Sequence, residues 1–160
     1  MKSNGIIILV SGRGSYGANS GIYATEFVKS IVKQKSGDKN SIGGYSMSGP
    51  AAGEAANEGD YDRLIIFDSY FRYVNNYNNL KKKEVVIYSP VGDAMLQKTL
   101  ELLADLKNSN YENITIVSNN TNIVNKYSSN FLIINPGNPM GSGHGYVNIT
   151  NAKVFSYACS

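Results

Sequence analysis

Five short apolar, β-branched runs punctuate this chain, at residues 5–10, Ser41–Tyr45, Arg63–Phe67, Glu84–Tyr88 and Asn113–Val117. Short continuous runs of this kind read as strands covered on both faces. Between them the period changes. Residues 22–33 place Ile22, Phe27, Ile31 and Val32 near one helical face. Residues 95–106 place Leu96, Leu100, Leu103 and Leu106 in a wide apolar stripe. Strands alternating with helices predict one α/β domain over residues 1–160: a mostly parallel sheet of about five strands, with helices on both faces.

Two stretches break the alternation. Residues 70–83 are aromatic, Asn-rich and basic, and read either as a small cap over a site or as a helix-and-loop connection. Residues 121–138 contain the apolar run 131–134, an additional strand candidate. Near the end, Val154, Phe155 and Ala158 have helical spacing and suggest a segment packing back on the sheet.

Composition narrows the classes. At 42% hydrophobic and 17% charged, the chain reads as globular rather than disordered. A net charge of +3 is too small to argue for nucleic acid. Lys81, Lys82 and Lys83 are the one basic cluster and read as a solvated loop. Cys159 is the single cysteine, so no internal disulfide can form. The first apolar run is too short for a signal peptide, and no run reaches membrane length, so a cytoplasmic protein is expected.

The candidate chemistry centres on Gly44-Tyr45-Ser46-Met47-Ser48-Gly49, between a strand-like run and a small-residue helix. Serine hydrolases lift their nucleophile out of the sheet at such a sharp turn, which needs small residues two before and two after it. Gly44 and Ser48 occupy those places, although the usual second residue is Gly. A serine hydroxyl needs a base to take its proton and a third group to orient that base. His144, flanked by Gly141, Gly143 and Gly145, is the only histidine. Asp93 follows the fourth strand in a Gly-Asp loop, with capping of the next helix as its other reading. Asp68, at the end of the third strand, is the reserve acid. For the oxyanion, one donor is the N–H of Met47. The other is the N–H of Arg13 or of Ser15, in the loop after the first strand.

That loop also spells Gly12-x-Gly14-x-x-Gly17, a dinucleotide-binding fingerprint and the main rival reading. It is weakened because the helix pattern starts only at Ile22, and the second strand ends in Tyr45-Ser46 rather than near an acid for the ribose. One His and one distant Cys form no recognisable metal set.

These motifs resemble the α/β-hydrolase superfamily, and most closely its small cutinase-like branch. Arg13-Gly14-Ser15 is similar to that branch's Arg-Gly-Ser loop, Gly44-Tyr45-Ser46-Met47-Ser48 to its Gly-Tyr-Ser-Gln-Gly elbow, and Gly92-Asp93 to its Gly-Asp acid loop. One helix between the first strand and the elbow strand also matches. The later position of His144 departs from cutinases and is similar to the general superfamily arrangement. The resemblance implies a serine esterase, lipase or thioesterase with a Ser46-His144-Asp93 triad. Its mechanism calls for no cofactor, and a short cap at residues 70–83 would suit a small-molecule or surface-presented acyl substrate. An acyltransferase and a catalytically dead hydrolase-like binding domain share these features. If residues 70–83 form a short cap, the site is open, with Tyr70, Phe71, Tyr73 and Tyr77 along one wall and Arg72 nearby.

Overall fold

A computed structural model describes residues 6–10, 28–30 and 40–140. They build one seven-stranded sheet: β1 (Ile6–Val10), β2 (Val28–Ser30), β3 (Ser41–Tyr45), β4 (Arg63–Phe67), β5 (Glu84–Tyr88), β6 (Asn113–Val117) and β7 (Leu132–Ile134). The spatial order is β2-β1-β3-β4-β5-β6-β7. Every neighbouring pair from β1 to β7 is parallel, and β2 runs antiparallel to β1. The α/β fold read from the chain is therefore present, with all five anticipated strands and the additional one near residue 132.

Residues 28–30 correct one expectation. They pair with β1 through Ile7 and Ser30, Ile8 and Lys29, and Leu9 and Val28, where a helix over 22–33 was anticipated. The outer edge of β1 exposes backbone donors and acceptors, and the added strand supplies their partners. A strand thus lies between the first strand and the elbow strand, where the resemblance implied a helix alone.

Three helices are described: α1 (Gly49–Glu58), α2 (Leu96–Lys107) and α3 (Thr121–Tyr127). All three contribute to one core, with Ala52 and Ala56 of α1, Leu102, Leu103 and Leu106 of α2, and Ile123 and Tyr127 of α3. The strands contribute Ile42, Leu64, Ile66, Val85, Ile87 and Ile116, which alternate along each strand and share one face. The one-sidedness has a topological cause. From β3 to β7 each strand is laid down beside the last in one direction, and right-handed crossovers then put every connection on the same side. The opposite face is also buried at Ile65, Phe67, Val86, Tyr88 and Val117. The final helical segment expected after His144 lies outside the described residues.

Residues 70–83 settle as a core-packed connection rather than a cap. Tyr70, Phe71, Val74 and Leu80 are buried in the helix-side core. Phe71 stacks on Tyr77 with ring centroids 6.3 Å apart. The predicted open wall therefore loses Tyr70 and Phe71 to the core, because aromatic burial outweighs their exposure at a site. Tyr73 remains outside, 66% exposed. Lys83, expected in a solvated loop, instead reaches back to α1 and donates to the carbonyls of Ala56 at 2.6 Å and Gly59 at 2.9 Å. A cation there satisfies carbonyls that the helix end leaves open and complements its dipole.

Candidate active site at the carboxyl edge of the sheet

The strands finish level. Val10, Tyr45, Phe67, Tyr88, Val117 and Ile134 are register partners across the sheet. The next described residues in the row are Ser46, Asp68, Ser89, Ser118 and Asn135, so the carboxyl edge is lined with polar groups. The ladder runs one step further at this row, where the N–H groups of Asp68, Ser89 and Ser118 each donate at 3.0 Å, to Tyr88, Val117 and Ile134 respectively. The chain steps outward from β1 to β2 and then returns to place β3 on the other side of β1. Ser46 therefore follows β3 at the point where the winding reverses, and open α/β sheets hold their ligands outside the carboxyl ends at such a point.

Ser46 has φ 56°, a left-handed conformation that a non-glycine residue adopts only when its surroundings impose it. The strand ends at Tyr45 in extended geometry, the turn covers Ser46–Ser48, and α1 begins at Gly49 with Pro50 in its first turn. Gly44 explains how the turn closes. A Cβ at Gly44 would lie 2.7 Å from the Gly49 Cα, 2.8 Å from the Ser48 carbonyl oxygen and 2.9 Å from the Ala52 Cβ. Gly49 is equally constrained, since a Cβ there would collide with the Tyr70 carbonyl and the Ser69 hydroxyl. Ser48, the departure from the usual elbow, is fully buried within this turn. Met47 is the middle residue of this turn.

Two carboxyl groups lie beside this turn. Asp68 is fully buried and also has a left-handed φ, of 50°. Burial, reinforced by the charge of Asp93, pushes its carboxyl up to about 8. The Tyr45 hydroxyl is raised by burial and then by the charges of Asp68 and Asp93, which places all three groups in one electrostatic neighbourhood.

Asp93 is 6% exposed and heavily hydrogen-bonded. Its Oδ1 accepts from the Met95 N–H at 2.7 Å, closing a turn just ahead of α2, whose N-cap is Met95 rather than Asp93. Its Oδ2 accepts from the Ser89 hydroxyl at 3.0 Å and the Thr99 hydroxyl at 3.1 Å. The two acids are thus unlike: one fully buried and held neutral at pH 7, the other supplied with donors.

Sequence patterns did not single out Ser69, Ser89, Thr99 or Ser118. The signal was present, since Ser89 and Ser118 directly follow the last apolar residues of β5 and β6, and Thr99 interrupts the apolar stripe of α2. His144, Arg13 and Ser15 lie outside the described residues. Among the described residues, no group of three or more His, Cys, Asp or Glu side chains is arranged to hold a metal ion. No helix among them is long and apolar enough to cross a membrane. Compared with protein-family models, curated proteins and solved structures, the chain matches none.

Proposed function

We propose that the protein is a serine hydrolase acting on an ester, thioester or related acyl bond. The observation that carries this reading is the left-handed Ser46 at a strand-to-helix turn, at the sheet's winding reversal, with Gly44 and Gly49 permitting the close approach. Backbone strain at a polar residue on a carboxyl edge favours a functional role over an ordinary Gly-Ser turn.

In the proposed reaction Ser46 Oγ attacks the acyl carbonyl while His144 takes its proton. The N–H of Met47, with that of Arg13 or Ser15, binds the oxyanion. The leaving alcohol or thiol receives the proton from the imidazole, giving the acyl-enzyme. Water, deprotonated by the same imidazole, attacks the acyl carbon and releases the acid and free Ser46. Asp93 holds the imidazole. Asp93 is fixed in place by Ser89, Met95 and Thr99, whereas the carboxyl of Asp68, neutral at pH 7, lacks the charge that steadies an imidazolium.

Labelling with a fluorophosphonate probe tests the reading. Wild-type protein is expected to label at one site, and Ser46→Ala and His144→Ala are expected to lose the label. Intact protein that does not label, or Ser46→Ala that still does, refutes the assignment. Thermal stabilisation by a dinucleotide in unlabelled protein would favour the glycine-fingerprint alternative.

A further inference from the structure

A chain of buried groups joins the nucleophile turn to the acid loop. The Ser69 hydroxyl donates to the carbonyl oxygen of Ser46. The carbonyl of Ser69 accepts from Thr99 Oγ1 at 2.8 Å. The same Thr99 oxygen lies 3.1 Å from Asp93 Oδ2, which the Ser89 hydroxyl also contacts at 3.0 Å. Ser69, Ser89 and Thr99 are each 0% exposed, so bulk water does not compete for these bonds.

Thr99 is the joint of this chain. It stands on the face of α2 that otherwise buries Leu102, Leu103 and Leu106. A hydroxyl on an apolar face is unfavourable unless it is bonded. It has one proton and two acceptors within reach, the Ser69 carbonyl and the Asp93 carboxylate. Shared between those two acceptors, the one hydroxyl ties the loop that holds Ser46 to the loop that holds Asp93.

We infer that Thr99 is a positioning residue, which fixes the Ser46 turn against the Asp93 loop. The inference rests on the proposed roles of Ser46 and Asp93. It is tested by the rate of fluorophosphonate labelling in variants of the chain. Thr99→Val removes the hydroxyl at nearly constant volume and should slow labelling roughly tenfold, the worth of one hydrogen bond. Thr99→Ser keeps the hydroxyl and should label within about twofold of wild type, a rescue that loss of packing alone would not give. Ser69→Ala removes the bond to the Ser46 carbonyl and should also slow labelling. If Thr99→Val does not fold, Thr99→Ala carries the test with the same slowing expected. Wild-type rate in Thr99→Val, Thr99→Ser as slow as Thr99→Val, or Ser69→Ala labelling at the wild-type rate would each overturn the inference while leaving the hydrolase reading intact. Wild-type protein that takes no label overturns both.

Discussion

Ser46 and Asp68 stand side by side at the carboxyl edge, each one residue beyond the register partners Tyr45 and Phe67, and both are left-handed, with φ of 56° and 50°. Two adjacent parallel strands therefore end in the same conformation, one at a hydroxyl and the other at a carboxyl. The strain is sustained by packing of the elbow against the loop after β4. Ser69 holds the Ser46 carbonyl, and Gly49 lets the Tyr70 carbonyl come close.

That close packing makes Gly49 the most sensitive small residue in the turn. A methyl group at Gly49 meets the Tyr70 backbone and the buried Ser69 hydroxyl, which already holds the Ser46 carbonyl. Gly49→Ala is expected to destabilise the protein by about 2–4 kcal/mol, as overpacking with a forced backbone shift does. Denaturant unfolding reads this directly, and an unchanged midpoint would mean that the loop after β4 yields freely.

The two acids should separate by activity. Asp93→Asn keeps an oxygen to accept from Met95 and so preserves the turn, but it removes the charge that holds the imidazole. Labelling at Ser46 should fall on the order of a hundredfold or more. Asp68→Asn replaces a neutral acid by a neutral amide and should stay within about tenfold. The opposite ranking would transfer the orienting role to Asp68.

Asp68 should also set part of the pH dependence of stability. Its carboxyl is raised in the folded protein from 3.8 to about 8, so between those values the folded state binds more protons than the unfolded state. The contribution is fully present below 3.8 and is lost as the pH rises through about 8. The slope is at most about 1.4 kcal/mol per pH unit. Asp68→Asn should flatten the melting temperature across this window and make the variant relatively more stable at its alkaline end. Parallel curves for wild type and variant would show that Asp68 is charged in the fold.

At the far end of α1, Lys83→Met keeps the apolar stem and removes the ammonium that serves Ala56 and Gly59. The loss of two partly solvated bonds to helix carbonyls should lower stability by about 1–2 kcal/mol, with labelling at Ser46 unchanged. A wild-type unfolding midpoint would mean that water replaces the lysine without loss.

The sequence by itself determined the parallel strands, because burial on both faces selects short β-branched runs that need no knowledge of their neighbours. It also determined where Ser46 stands, because a strand, a glycine two residues earlier and a helix of small residues can meet only through a sharp turn. Both signals are local, written within about one element's length of chain. Tertiary structure alone decided what is made by contacts between distant residues. The strand at residues 28–30 depends on the edge of β1 rather than on its own helical spacing. The burial of Tyr70 and Phe71 depends on the space beneath α1 and α2. The difference between Asp68 and Asp93 depends on solvent exclusion at one and donors from Ser89, Met95 and Thr99 at the other. No pattern of residue types encodes such a difference, since desolvation and hydrogen bonding are properties of the packed neighbourhood.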